Sequence, residues 1–124
     1  MAAPETPVNL DEKLALVTEH WSPKIVGEIN DLYLKVVKME GEFVWHTHDD
    51  TDEFFLVRKG NLVIEMRGRD AVGLGPGDFF VVPRGIEHRP MAEAECEILL
   101  IEPQGVVNTG DAVASALTAE DVWI

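Results

Sequence analysis

The stretch GEFVWHTHDDTDEFFLVRKG, residues 41–60, decides how this chain is read. His46 and His48 are spaced i, i+2, which on a strand puts both side chains on one face. Glu53 opens the apolar run EFFLV, and strict alternation groups it with Phe55 and Val57. Lys59-Gly60-Asn61 then supplies a turn. Only four histidines occur in the chain, and a third falls in a second patterned stretch, GDFFVVPRGIEHRPMA, residues 77–92. There His88 follows the turn Pro83-Arg84-Gly85, 35 residues after Glu53. Three imidazoles and one carboxylate suit a first-row divalent ion, so His46, His48, Glu53 and His88 are the expected metal ligands. The fourth histidine, His20, falls outside this pattern, near the end of an expected helix.

Working outward, residues 1–8 read as a loose arm. Asn9 with Glu12 three residues on resembles a capping box, and Leu10, Leu14, Val17 and Trp21 fall at helical spacing. The spacing predicts a helix at about 10–20, ended by Pro23. From residue 24 the period changes to two. Strands are predicted over 24–29, 32–39, 42–47, 53–59, 61–67, 70–74, 78–83, 88–92 and 95–102. Many short strands with Gly and Pro turns imply an all-β antiparallel sandwich or barrel. The barrel core is expected over 24–102, with an arm and helix at 1–23, a tail at 103–124, and one domain over 1–124. In the tail, Thr118 followed by AEDVWI offers a final helical turn.

The two patterned stretches resemble the paired motifs of the cupin superfamily. The first is Gly, His-x-His, four residues, Glu, six residues, Gly; the second is Gly, five residues, Pro-x-Gly, two residues, His. Gly60, Gly77, Pro83 and Gly85 match the turn positions, and 16 residues separate the motifs. Two departures occur: four residues rather than five lie between Gly41 and His46, and position 92 is Ala where the family often has Asn. The resemblance implies a small single-domain cupin, a double-stranded β-helix or jelly roll with a short N-terminal helix, and implies the same four residues as metal ligands. Zn, Mn, Fe or Ni would all suit the mixed N/O set.

Composition bounds the function. The formal charge is −13, from 10 Lys plus Arg against 23 Asp plus Glu, which argues against nucleic acid and against an anionic membrane surface. No apolar run approaches the roughly 20 residues of a spanning helix, and the acidic, Pro-containing start does not read as a signal peptide. The lone Cys96 cannot form an internal disulfide and, at alternate spacing with Ile98 and Leu100, reads as a buried thiol in a cytoplasmic protein. Strands apolar on both faces, EFFLV and DFFVV, call for a cover, and a homodimer supplies one.

Parity predicts a cavity walled by Val44, Phe55, Val57, Leu62, Ile64, Met66, Phe79 and Val81. Tyr33, Arg84, Glu87 and Arg89 are the polar candidates near motif ends or on neighbouring strands, each read as a surface residue before a catalyst, and Asp49, Asp50 and Asp52 form an acidic turn beside the ligands, too short a series for an EF-hand. Four protein ligands leave open positions on a six-coordinate ion, where a small oxygenated metabolite can chelate. The expected function is a metalloenzyme, an isomerase or epimerase or a dioxygenase; the alternatives are a small-molecule sensor and a storage barrel without turnover.

Overall fold

The computed structural model describes residues 6–115 and 117–124. Among them lie one short helix, α1 (Leu10–Leu14), and seven strands: β1 (Lys24–Ile29), β2 (Leu32–Glu42), β3 (Glu53–Lys59), β4 (Leu62–Met66), β5 (Arg69–Leu74), β6 (Phe79–Val82) and β7 (His88–Pro103). Every pairing is antiparallel, and the main path runs β1-β2-β7-β3-β6. The all-β jelly-roll expectation holds, with its short N-terminal helix.

Strand β7 organises the sheet. One edge pairs with β2 along nearly its whole length. The other edge is shared: its start, His88 to Met91, pairs with β4, and its later half pairs with β3. Even-numbered residues of β7 point inward, so His88, Pro90, Ala92, Cys96, Ile98, Leu100 and Glu102 are all buried. The two strands expected at 88–92 and 95–102 are therefore one. Glu93, Ala94 and Glu95 bulge outward where the register to β2 slips, and this acidic interruption hides the continuity.

The stretch expected as a strand at 42–47 is not one. The strand β2 ends at Glu42, just past Gly41 (φ +83°), and beyond it only an isolated bridge pairs His46 with His88. The helix is also shorter than the apolar spacing suggested. Asn9 caps it by accepting from the Glu12 N–H, but it ends at Leu14. Tertiary bonds win over helix propensity beyond that point: Lys38 donates to the Val17 carbonyl, and the Trp21 N–H donates to Lys38 O. The expected single stripe is consequently divided. Leu14 and Val17 pack on the outside of the sheet with Val26, Val36 and Leu99, whereas Trp21 turns into the barrel interior. His20, beyond the true helix, pairs with Glu95 at 2.8 Å.

The interior holds Phe55, Val57, Leu62, Ile64 and Met66, as parity predicts, with half-buried Val44 packed against them. Phe79 and Val81 do not belong there. The register sets Glu53 opposite Val82 and Phe55 opposite Phe80, so Phe80 and Val82 face inward. Phe79 and Val81 lie outside, 63% and 40% exposed, beside Phe54. The C-terminal segment is docked without a helix. Its Ile124 N–H donates to Ile25 O, Trp123 meets Tyr33 edge-on, and Ser115 and Thr118 close a turn. Of the expected N-terminal arm, residues 1–5 lie outside the described part.

Cys96 is fully buried, and burial pushes its thiol up to about 11, so it behaves as an apolar side chain. It also explains the turn glycine of the first motif. A Cβ on Gly60 would sit 2.8 Å from the Cys96 Cβ, and its φ of +82° is one that side chains resist. Gly60→Ala is expected to lower the unfolding free energy by about 2 kcal/mol. Urea denaturation checks this; an unchanged midpoint would show that the turn relaxes freely.

Candidate metal centre

Three routes of the chain bring the four expected ligands together. His46 and His48 come from the irregular segment after β2, Glu53 from the first residue of β3 and His88 from the first residue of β7. The ladder bonds between His46 and His88, N–H to carbonyl in both directions, lock the two backbones side by side. All four residues are buried, and one potential ligand atom from each lies within 4.8 Å of the others.

The orientation of each ring is set from behind. His46 Nδ1 bonds the Val44 carbonyl at 2.9 Å, and His88 Nδ1 bonds the Ile86 carbonyl at 2.8 Å. A carbonyl can only accept, so both Nδ1 atoms carry the proton and both Nε2 atoms present a lone pair inward. The Glu53 Oε2 atom lies 2.5 Å from His48 Nε2, 3.4 Å from His88 Nε2 and 3.8 Å from His46 Nε2. His46 Nε2, His88 Nε2 and Glu53 Oε2 are buried and lack any hydrogen-bond partner of acceptable geometry. Such orphaned acceptors are costly in a folded protein unless something satisfies them together, and a cation does so. The donor set and its closure therefore fit a divalent ion.

Burial opposes charge on Glu53, but the three imidazoles around it hold its carboxyl well below the usual carboxylate range. Burial likewise opposes charge on His48, and the Glu53 carboxylate outweighs it, leaving His48 raised.

The surroundings are mostly apolar, as expected from the sequence. Behind His48 and Glu53 a tight cavity, ≈ 20 Å³, holds one water-sized group. Trp21, Phe43 and Phe55 form its apolar wall, and Trp21 stacks on Phe43 at 4.8 Å. None of the expected polar candidates lines it. Tyr33 packs against Trp123; Arg84 bonds Asp52; Glu87 pairs with Arg67; Arg89 pairs with Glu65 and lies over Trp45. Asp52 thereby ties the loop of the first motif to the turn of the second, and those bonds lower its carboxyl pKa.

The polar groups that do line the cavity were missed. They are Asn108, from the C-terminal segment, and Glu102. Glu102 is buried and accepts from Lys35 Nζ at 2.8 Å; Lys35, itself 3% exposed, also reaches Asp121 at 2.6 Å. Burial pushes the Glu102 carboxyl up and the ammonium only partly offsets this. The inward parity of Cys96, Ile98 and Leu100, extended by two residues, would have found Glu102. On the outer side, the C-terminal segment presses on the ligand loop. Asp111 accepts from the Thr47 N–H at 2.7 Å, and a Cβ on Gly110 would lie 2.5 Å from Thr47 O. His48, Asp49, Asp50 and Asp111 line the resulting outer hollow.

Comparison with known proteins agrees with this architecture. The Cupin_2 family, described as the cupin domain, matches residues 33–102, and the chain belongs to that family. It is 31% identical over 77 residues to the uncharacterized protein YdbB of Bacillus subtilis (strain 168), covering 62% of this chain and 68% of that one. The crystal structure of a cupin-2 domain containing protein from Shewanella frigidimarina NCIMB 400 superposes with a TM-score of 0.76 at 48% identity, over 78% of this chain and 94% of that one. The fold is also that of part of hydroquinone 1,2-dioxygenase from Sphingomonas sp. TTNP3 with 4-hydroxybenzoate bound. There the TM-score is 0.73 at 22% identity, over 79% of this chain but 32% of that one.

Because His48 is raised in the metal-free protein, an ion must displace a proton at and somewhat above the ordinary histidine range near pH 6.5. Affinity for Zn²⁺ is expected to fall at least tenfold from pH 8 to pH 6, one proton per tenfold per unit below the pKa. Competition titrations against a chromophoric chelator, corrected for the chelator's own protonation, measure it. A pH-independent affinity would remove His48 from the ligands.

Proposed function

We propose that this cupin is a metalloenzyme, with His46, His48, Glu53 and His88 holding one divalent ion and a small oxygenated metabolite as substrate. The observation that carries this reading is the convergence of three partnerless buried acceptors, two imidazole Nε2 atoms and one carboxylate oxygen. A bound ion would supply Lewis-acid or oxygen chemistry. Zn, Mn or Ni would direct it to isomerisation or epimerisation, and Fe to dioxygenation.

The chain's own residues do the rest. The carbonyls of Val44 and Ile86 fix the ring tautomers, as outer partners of ligating histidines commonly do. Trp21, Phe43 and Phe55 exclude water from the inner side. In this reading residues 1–124 act as one domain, in the cytoplasm, on a small molecule and without nucleic acid. Among the described residues no helix is long and apolar enough to cross a membrane.

Metal analysis of protein purified without chelators tests the proposal. About one equivalent per chain is expected in the wild type, and His48→Ala should lose most of it while keeping its strand circular dichroism. A wild type empty of metal after exposure to all four ions would refute the reading. Oxygen uptake over a panel of small diketones and hydroxy compounds then separates the chemistries, and saturable binding without turnover would point to a sensor instead.

The homodimer is part of the same proposal. Helix α1 covers the outer face around Val36 and Leu99, but among the described residues Phe54, Phe79 and Val81 at the β3–β6 edge have no such cover. A second copy placed there would bury them. Light scattering is expected to give twice the chain mass for the wild type and the single mass for Phe79→Glu. A monomeric wild type at micromolar concentration would exclude this interface.

A further inference from the structure

We propose that residues 110–115 form a flap over the metal centre, held down by Asp111 on Thr47, and that its lifting joins the outer hollow to the four clustered residues. The inference rests on the metal reading above and supplies the route which that reading requires.

A route is needed because the centre is enclosed. His46 and His88 are each 1% exposed, and His48 and Glu53 each 8%. The inner cavity behind His48 and Glu53 admits one water-sized group and no metabolite. The outer hollow is far larger, ≈ 330 Å³, which suits a small molecule. The loop of the first motif forms one of its walls and the C-terminal segment another, and His48 is the one residue of the centre that borders it. Gly110 stands between the hollow and His46. It lines the hollow, and a Cβ placed on it would meet Thr47 O at 2.5 Å and His46 Cδ2 at 3.1 Å. Cδ2 is bonded to Nε2, the ring atom that faces Glu53. Moving Gly110 away therefore uncovers the ligand edge of His46 from the side of the hollow.

The bonding of the segment lets that residue move. Asn108 donates to the Trp21 and Leu117 carbonyls and accepts from the Ala119 N–H, and Thr109 meets Thr118 at 3.0 Å. These bonds tie a neck, and Leu117 packs it against the core. Beyond the neck the chain is clipped to the barrel again, by Asp121 on Lys35 and by Val122 and Ile124 on Ile25. Between the two sides of the neck, residues 111 and 113–115 are exposed, Val113 to 90%. Ser115 bonds only within the segment, to Leu117 and Thr118. The flap's hydrogen bonds to the barrel all fall on Thr47. Asp111 Oδ1 accepts the Thr47 N–H at 2.7 Å, and the Asp111 N–H donates to Thr47 O at 3.1 Å. Gly110, at φ +56°, sits where such a flap would pivot. Thr47 lies between two ligands, so the bonds that close the flap also seal the centre.

Cobalt(II) is the probe, since its visible spectrum reports uptake by the metal-free protein and release into excess chelator. In Asp111→Ala the loss of one charge-assisted bond is expected to speed both steps about tenfold, leaving the affinity within about threefold of the wild type. Removing a carboxylate would by itself slow the approach of a cation, so faster uptake cannot be an effect of charge. Asp111→Asn keeps an acceptor for the Thr47 N–H and is expected to lie nearer the wild type. Should Asp111→Ala not fold, Gly110→Ala drives the flap off Thr47 by steric contact and is expected to speed both steps as well. A residue that merely props the ligand loop would give faster release, weaker affinity and no gain in uptake. Unchanged uptake in the folded variant therefore overturns the flap, whatever happens to release, and leaves the metal reading standing. A wild type that takes up no cobalt or other ion overturns both.

Discussion

A buried carboxylate ringed by three imidazoles is the constraint on which this molecule turns. Glu53 is 8% exposed and lies within 3.8 Å of the Nε2 atoms of His46, His48 and His88. Each of these groups would be better solvated outside the protein. Holding them together costs desolvation four times over, and only a shared positive charge offsets that cost. A proton can serve His48 and Glu53, which are in hydrogen-bond range. It cannot serve His46 and His88, whose protons are committed to Val44 and Ile86 on the other side of each ring. The backbone has thus fixed a lone-pair arrangement that asks for a metal.

Much of the remaining structure supports that arrangement. The bridge between His46 and His88 joins the segment after β2 to the start of β7, so the two histidines cannot drift apart without breaking its paired backbone bonds. Asp52 fastens the loop between His48 and Glu53 to the turn that precedes His88. Gly110 lets the C-terminal segment lie against Thr47, between the first two ligands. A strained position pays its way here too: Trp21 has φ +61°, and that left-handed turn aims its ring into the cavity while its N–H bonds Lys38 O.

The four clustered residues of the candidate centre were legible in the sequence because their signals are local. The spacing of His46, His48 and Glu53 and the turn Pro83-Arg84-Gly85 before His88 are short-range signals, readable without knowing the register. What was not legible depends on long-range pairing. Phe79 and Phe80 are neighbours of equal hydrophobicity, and only the register to β3 decides which faces inward. The unity of β7 was hidden by the bulge at Glu93–Glu95, whose acidic residues break the alternation. Trp21 falls at a helical spacing with Leu10, Leu14 and Val17 and so reads as part of one stripe, because the bonds to β2 that override the helix come from residues far along the chain. Glu102 and Asn108 went unseen since neither lies in a patterned motif.

The acidic balance acquires a local meaning from these positions. A net charge of −13 argues against polyanionic partners as a bulk property, yet the carboxylates are not evenly placed. Asp49, Asp50 and Asp111 line the outer hollow that His48 also borders, which makes that side of His48 acidic. Glu102 lies on the inner side with Lys35 and Asp121 behind it. Carboxylates thus border the centre on its outer and its inner side, and burial treats them differently: Asp49 and Asp50 stay exposed to water, whereas Glu102 is buried against the Lys35 ammonium and its carboxyl is pushed up.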